Sequence, residues 1–390
     1  MKDYGKFIYA GSKDCADLLY LTGFLAEDPF LWFSIGDENY IIVSPMELER
    51  ARKQCRKDVT PLTALQAMEK WELGDAKKTQ ANLLAAIARK EKVWKWIVPH
   101  DCPYGVIDKL HKTRLDSHDR THTLSGRKFD FSIENSFCPL RAFKTRVEAE
   151  AVRKSEQAAE MGLARAIQLL REATIGNDGF LRLNGETLTA EMLRGEINAE
   201  IARHNATASG TICAAGLLGA DPHQVGTGPI PANAPIVFDI FPRDDDTGYF
   251  GDLSRTVVKG KAPKIVRKAF TAVYDAQRKA IEMLKPGVPC KTLHQKAADV
   301  MESYGFKTDL KAAKPYGFIH SLGHGVGLEI HEKPNLSPRS NDNLKSGHIV
   351  TVEPGLYYPE WGGIRIEDTL YVTEDGYDDL ASAEVFLELE

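Results

Sequence analysis

The chain has 390 residues, of which 43% are hydrophobic and 27% are charged, and its formal net charge is −5. This length predicts two domains. A mildly acidic chain offers no electrostatic basis for binding nucleic acid or a membrane surface, so we expect neither as a partner. The six cysteines are scattered without a CxxC pair and the first residues lack an apolar signal segment, so we expect a reduced, cytoplasmic protein.

The first part of the chain, residues 1–143, predicts a small α/β domain. Two apolar runs at 30–34 and 40–43 flank a turn-forming segment and indicate a β-hairpin. Apolar residues at helical spacing over 79–88 are followed by a strand-like run over 93–98. This region contains no constellation of residues that indicates catalysis.

The rest of the chain, residues 144–390, predicts a second and larger domain. It opens with a long amphipathic stretch over 147–173. Further helices are predicted over 263–284, where Pro263 suits a first helical position, and over 291–304, where Gly305 suits the end. The remaining sequence is rich in strand and turn patterns.

A first pair of acids lies on a predicted hairpin in this second domain. Asp239 ends an apolar run, and Asp252 opens a second strand pattern after a turn-rich segment. A hairpin symmetric about Asp245 and Asp246 places Asp239 directly opposite Asp252. Like charges so placed destabilise the strand pair unless a cation compensates them. We expect the acidic turn itself, from Asp244 to Asp246, to be a solvated loop without ligands.

A second pair of acids repeats this arrangement. A hairpin centred on Glu360 places Glu353 opposite Glu367, and both acids are surrounded by β-branched residues. Each acid alone could be a solvated strand residue, but an unpaired charge in such apolar surroundings is costly. The sequence therefore predicts a compensating cation here as well.

Three histidines, His320, His324 and His331, lie within twelve residues. His320 and His324 have the same strand parity and would face the same way. His331 would face away unless Gly325 and Gly327 bend the chain, which glycines in a strand make feasible. Their position between the two acid pairs favours a functional role over isolated core histidines.

The charges of these residues predict a dinuclear metal site. Four carboxylates and one neutral imidazole carry a charge of −4, which matches two divalent cations. Oxygen-rich ligation favours Mn²⁺, with Co²⁺ or Zn²⁺ as alternatives. Two such ions can polarise a carbonyl and activate a water, and a glutamate can move the proton, so amide hydrolysis follows. The spacing does not identify the substrate.

These residues resemble a known family. From about residue 145 to 390 the chain is similar to the pita-bread metallopeptidases, which include methionine aminopeptidase, aminopeptidase P, prolidase and creatinase. The resemblance implies an α+β fold, with a C-terminal pita-bread domain and a smaller N-terminal α/β creatinase-like domain. The matching motifs are Asp239, the segment Gly-Tyr-Phe-Gly-Asp252-Leu-Ser-Arg-Thr, His324 in Gly-His-Gly-Val-Gly, Glu353 in Thr-Val-Glu-Pro-Gly, and Glu367 in Gly-Ile-Arg-Ile-Glu-Asp.

The resemblance also implies roles for individual residues. The metal ligands would be Asp239, Asp252, His324, Glu353 and Glu367, with Asp252 and Glu367 bridging both ions. Glu353 would also act as general base. His223 matches a histidine near the leaving side of the scissile bond, and His331 matches one that stabilises the developing oxyanion. His320 and Arg365 match substrate-binding residues of the proline-specific branch.

The proline-specific branch also carries an additional N-terminal domain, as residues 1–143 suggest here. The resemblance then implies hydrolysis of the Xaa-Pro bond in a proline-containing peptide and, by analogy, a homo-oligomer such as a dimer. Two departures are notable: the spacing from Asp239 to Asp252 is two residues longer than usual, and Asn335 stands where many small prolidases have an arginine. Dipeptidase and aminopeptidase specificity both stay open. The alternatives are hydrolysis of another small amide and a protein-binding domain without catalysis.

Overall fold

The structure is a computed structural model, which describes residues 4–74, 79–112 and 129–390. The chain divides into two compact units, Met1–Arg141 and Ala142–Glu390. Within the described ranges, no helix combines the length and the apolar character that crossing a bilayer requires.

The first unit is built on a mixed six-stranded sheet in the order β4-β3-β2-β1-β5-β6. Its strands are β1 (Gly5–Ala10), β2 (Phe30–Ile35), β3 (Glu38–Val43), β4 (Val59–Thr63), β5 (Lys95–Pro99) and β6 (Asp130–Glu134). Its helices are α1 (Ala16–Thr22), α2 (Leu48–Gln54), α3 (Ala64–Lys70), α4 (Gln80–Lys90) and α5 (Tyr104–Lys112). Buried aromatic side chains pack against the sheet, with the ring of Tyr40 5.3 Å from Phe33 and 5.0 Å from Trp71.

The predicted hairpin is confirmed, because β2 and β3 pair in antiparallel fashion around the turn at Gly36, which has a positive φ of 62°. The helix α4 and the strand β5 also lie where the hydrophobic pattern predicts them. Strand β4 was not predicted from the sequence; it carries Pro61 and pairs in parallel with β3. Proline lowers the strand signal because it cannot donate to a sheet ladder.

The second unit combines long helices with several small sheets. Its helices are α6 (Arg146–Glu172), α7 (Ala190–Arg203), α8 (Lys264–Ile281) and α9 (Cys290–Ser303). Its strands are β7 (Thr174–Ile175), β8 (Leu181–Leu183), β9 (Glu186–Thr187), β10 (Ala206–Thr207), β11 (Ile212–Ala215), β12 (Ile236–Ile240), β13 (Arg243–Asp244), β14 (Leu253–Lys259), β15 (His324–Gly325), β16 (Glu332–Asn335), β17 (Ile349–Val352), β18 (Gly355–Tyr358), β19 (Gly362–Arg365), β20 (Asp368–Val372), β21 (Tyr377–Asp379) and β22 (Glu388–Leu389).

Capping residues, proline and glycine set the ends of the helices in this unit. Helix α6 starts with a capping box, in which the Thr145 side chain accepts the N–H of Glu148 and Glu148 accepts the N–H of Thr145. Helix α8 begins directly after Pro263. Helix α9 is followed by Gly305, whose φ of +85° is the left-handed conformation that terminates helices. All three helices confirm the sequence prediction.

Two sheets carry the acid pairs. A four-stranded sheet has the order β11-β12-β14-β22, and a five-stranded sheet has the order β16-β15-β17-β20-β21. The N–H of Glu367 donates to the carbonyl of Ser254 at 3.0 Å. This backbone bond, from a residue just before β20 to one in β14, joins the two sheets beside the acids.

The predicted register of the first hairpin is wrong by two residues. Asp239 lies opposite Ser254 and not opposite Asp252. The connection is not a symmetric turn, because β13 leaves it to pair with β10, and Arg243 also bridges to Phe250. Asp252 keeps the parity of Ser254, so it faces the same side of the sheet as Asp239.

The acidic turn is also only partly a solvated loop. Asp244 is 1% exposed, pairs with Lys154 at 2.5 Å and accepts the N–H of Thr247 at 2.8 Å. Asp245 and Asp246 are exposed, as predicted. The difference arises because β13 turns Asp244 inward against α6.

The predicted register around the second acid pair is confirmed. Val352 lies opposite Asp368, and Gly355 lies opposite Arg365, as a hairpin centred on Glu360 requires. The hairpin is interrupted, however, and Glu353 lies in the gap between β17 and β18.

Replacement of Asp379 by asparagine tests how the buried carboxyl group of Asp379 makes the stability of the protein depend on pH. Burial, together with the charge of Asp368, raises the pKa of Asp379 to about 6. The unfolded chain releases this proton near pH 4, so between about pH 4 and 6 the folded state holds more protons and loses stability as the pH rises. The melting temperature of Asp379→Asn minus that of the wild type should therefore increase from pH 5 to pH 7. Both proteins are measured in EDTA. Asp375→Asn, at the exposed turn before β21, is the control; a pH-independent difference for Asp379→Asn would contradict the expectation.

Candidate metal centre

Three of the predicted ligands meet in one buried cluster. Asp252, His324 and Glu367 each offer a ligand atom, and these atoms all lie within 4.8 Å of one another. Asp252 directly precedes β14, His324 opens β15, and Glu367 directly precedes β20. Each side chain therefore lies at the end of a strand, where the backbone can turn it toward the common centre.

The other two predicted ligands border this cluster. The Nε2 atom of His324 lies 3.3 Å from Oε1 of Glu353 and 3.6 Å from Oδ2 of Asp252. The carboxylate of Asp239 is held by the guanidinium of Arg365. The imidazole of His324 thus contacts Asp252 and Glu353, whereas Asp239 is linked to Glu367 through Arg365 and the hydroxyl of Ser254.

The acids of the cluster oppose one another's ionisation. Burial and then the charge of Glu367 raise the pKa of Asp252 well above its usual value. Burial and then the charge of Glu353 do the same to the pKa of Glu367. Burial acts against the ionisation of Glu353 too, but the hydrogen bond and charge of His324 lower the pKa of Glu353 to about 2.

This donor set fits divalent cations. It is rich in carboxylate oxygens, which hard divalent ions prefer, and it includes one imidazole. The Oε1 atom of Glu367 is buried and has no hydrogen-bond partner in the described part of the chain. Buried polar atoms normally have partners, so a cation at this atom would supply the missing interaction.

Arg365 is the main organising residue around the acids. Its side chain is 3% exposed. Besides Asp239, it donates to the hydroxyl of Ser254 at 2.9 Å, the hydroxyl of Tyr357 at 2.9 Å and the carbonyl of Pro222 at 3.4 Å. These partners restrict the guanidinium to one position against the carboxylates.

Two residues at the site, Ser254 and Tyr357, were not predicted from the sequence. Ser254 donates its hydroxyl to Oε2 of Glu367 at 2.7 Å and accepts from Arg365. Tyr357 contacts Nε2 of His320 at 3.0 Å and Arg365 at 2.9 Å. Ser254 could have been predicted from strand parity, because Ser254 lies two residues after Asp252 and faces the same side of β14.

The three other predicted histidines have different surroundings. The ring of His331 lies 4.3 Å from that of His324, edge to face, so the chain does bend between them as the glycines suggested. His320 lies outside a strand, with Nδ1 2.7 Å from the carbonyl of Ser321. His223 lies on an exposed loop, and its backbone N–H donates to Asp221. Burial and the charge of His324 lower the pKa of His331 below its usual value, and the charge of His223 contributes a smaller lowering.

Asn335 lies opposite His324 on the neighbouring strand β16, and its side chain is exposed. Arg339, four residues later and also exposed, is the nearest arginine in sequence. Asn335 therefore lies beside the histidine of the cluster without carrying a charge.

The comparison with known families agrees with this geometry. Residues 150–374 match the sequence pattern of metallopeptidase family M24. The chain belongs to this family and is a metallopeptidase. The expected family is thereby confirmed.

Individual relatives and structures extend the match over more of the chain. The protein is 35% identical over 275 residues to an Xaa-Pro dipeptidase of Pyrococcus furiosus, covering 68% of this chain and 69% of the relative. It is 30% identical over 291 residues to an Xaa-Pro dipeptidase of Pyrococcus horikoshii, covering 72% of this chain and 71% of the relative. The solved prolidase from Pyrococcus furiosus superposes with a TM-score of 0.75 at 26% identity, covering 98% of this chain and 97% of that one. An X-Pro aminopeptidase structure from Thermotoga maritima, at 20% identity, has the same fold with a TM-score of 0.78. This match covers 99% of this chain and 97% of that one. The expected α+β pita-bread fold is confirmed.

Replacement of Asp252 by asparagine should have opposite effects with and without metal. In EDTA at pH 8 the melting temperature should rise, because the neutral amide removes a carboxylate that repels Glu367. The wild type should gain about 2.7 kcal/mol of stability when Mn²⁺ is present at 100 times its dissociation constant, and the variant should lose most of this gain. Thermal unfolding with and without Mn²⁺ measures both effects.

The matched control is Asp246→Asn, which removes an exposed acid from the turn of the same hairpin and should leave both quantities unchanged. A variant at Asp252 that is stabilised by Mn²⁺ as strongly as the wild type would exclude this residue as a ligand.

Proposed function

We propose that this metallopeptidase hydrolyses the Xaa-Pro peptide bond and releases the residue that precedes proline. The observation that carries the proposal is the buried cluster of Asp252, His324 and Glu367, with Glu353 beside His324, in a chain similar to Xaa-Pro dipeptidases over two thirds of its length. The substrate would be a proline-containing dipeptide or short peptide.

The proposed ligands are Asp239, Asp252, His324, Glu353 and Glu367, and they would hold two divalent ions, with Mn²⁺ favoured and Co²⁺ or Zn²⁺ as alternatives. When bound, such ions polarise a carbonyl and supply an activated water at neutral pH. Two ions are proposed because the four carboxylates carry four negative charges, of which the side chain of Arg365 neutralises one at most.

The proton transfers would be carried by Glu353. Its carboxylate lies at the border of the cluster beside His324, where it can accept a proton from the attacking water. The same carboxyl group can then deliver the proton to the leaving nitrogen of proline. A carboxylate deeper in the cluster, such as Glu367, is already bonded to Ser254 and is less suited to this exchange.

The histidines would surround the scissile bond. The ring of His331 lies against His324, so His331 can donate a hydrogen bond to the oxygen that gains charge during attack. His223, on its exposed loop, would lie near the leaving side. His320, held by Tyr357, would bind the substrate together with Arg365, although the guanidinium already has partners within the unit.

A substrate panel tests the proposal most directly. With Mn²⁺ present, the enzyme should cleave Ala-Pro or Ala-Pro-Ala before proline, whereas Ala-Ala and Ala-Ala-Ala should be cleaved far more slowly. EDTA should abolish the activity. Chromatography of the products identifies the bond that is cleaved, and the ratio of the two proline substrates separates a dipeptidase from an aminopeptidase. No cleavage of either proline substrate by the Mn²⁺-loaded enzyme would overturn the proposal.

The number of ions is tested separately. We expect calorimetric titration of the metal-free protein with Mn²⁺, combined with elemental analysis, to give two ions per chain. Glu367→Gln should reduce this number, because it removes a buried carboxylate that would hold the ions. A stoichiometry of one ion in the fully active wild type would refute the dinuclear site while leaving the peptidase activity intact.

A further inference from the structure

A glutamate outside the metal cluster contacts it through the backbone. Glu156, in the first half of helix α6, is completely buried, and its Oε1 accepts the backbone N–H of Asp252 at 2.7 Å. Burial raises the pKa of Glu156 to about 8. The proposed mechanism does not use this residue, so its position requires a separate explanation.

The segment before β14 is fixed against α6 at several successive positions. Ser155 donates its hydroxyl to the carbonyl of Tyr249 at 2.9 Å. The backbone of Gly251 approaches the helix so closely that a Cβ there would lie 2.5 Å from the N atom of Glu156. Only glycine therefore permits this approach, which brings Asp252 within reach of the Glu156 carboxyl group.

The other end of the Asp252 backbone is fixed as well. Its carbonyl accepts the hydroxyl of Thr369 at 2.9 Å, and Thr369 lies in β20, two residues after Glu367. Two side chains thus hold Asp252, Glu156 at the N–H and Thr369 at the carbonyl. They come from different elements, so the backbone orientation of Asp252 is set by the helix and by the sheet together.

We propose that Glu156 is a positioning residue, which holds the backbone of Asp252 in the orientation that directs its carboxylate to the metal ions. The inference rests on the ligand role of Asp252 in the proposed function. Metal ligands must be placed within about 0.5 Å of their productive geometry. A buried carboxyl group is a costly way to satisfy one backbone N–H, and accurate placement of a ligand explains why such a group occurs here.

The competing explanation is that Glu156 only fills space and supports folding. The Glu156→Gln and Glu156→Met variants separate the two. Glutamine retains an oxygen that accepts the N–H of Asp252, whereas methionine has similar volume but lacks a strong acceptor. If Glu156 positions Asp252, methionine should weaken Mn²⁺ binding about 10–100-fold, the typical cost of losing an outer-shell partner, and glutamine should restore most of the affinity.

The readouts are Mn²⁺ affinity by calorimetry on the folded, metal-free protein, melting temperature in EDTA, and kcat and KM for the cleaved proline peptide at saturating Mn²⁺. We expect kcat to fall in Glu156→Met with little change in KM. The matched control is Glu160→Met, one turn later on α6, where the glutamate binds Ser382 and not the cluster. It should retain the Mn²⁺ affinity and kcat of the wild type.

Wild-type Mn²⁺ affinity in Glu156→Met would overturn the inference, as would a Glu156→Gln variant as impaired as the methionine variant. If Glu156→Met does not fold, Thr369→Val tests the carbonyl side of the same arrangement, and an unchanged Mn²⁺ affinity there would overturn it. Failure of the proposed function remains distinguishable, because it would be seen in the wild type on the substrate panel, whereas this inference is tested by differences in Mn²⁺ affinity between variants.

Discussion

Mutual repulsion among buried carboxylates is the constraint on which this structure depends. Asp252 and Glu367 lie beside each other in a low-dielectric interior, where like charges cannot all remain ionised without compensation. Arg365 and His324 provide part of that compensation, and the chemistry of the donor set indicates that divalent cations provide the rest. The surrounding fold keeps the acids together in spite of this repulsion, because hydrogen bonds and close backbone contacts fix the segments that carry them.

The contacts that hold the acids come from several parts of the second unit. The backbone bond from Glu367 to Ser254 joins the two sheets, and the guanidinium of Arg365 reaches from β19 to the acid on β12. Helix α6 adds a third element through Glu156. Asp239, Asp252 and Glu367 are therefore each held by neighbours outside their own strands, which is the arrangement that a preorganised metal site would require.

The sequence predicted the second acid pair better than the first for a physical reason. The segment between Glu353 and Glu367 contains a short hairpin, so its register follows from local pairing. The segment between Asp239 and Asp252 contains β13, which pairs elsewhere, and no local pattern reveals that partner. Glu156 could not be predicted at all, since a single glutamate in an amphipathic helix normally faces solvent. The five candidate ligands, by contrast, could be selected because acids among β-branched residues are unusual.

The bond between Glu367 and Ser254 has a consequence for how the protein is made. The two residues are 113 positions apart in the chain and belong to different sheets, Ser254 in β14 and Glu367 just before β20. During synthesis the earlier acids emerge long before Glu367, and they cannot form the complete cluster alone. The buried cluster of acids is therefore completed late, after the last strands have been made.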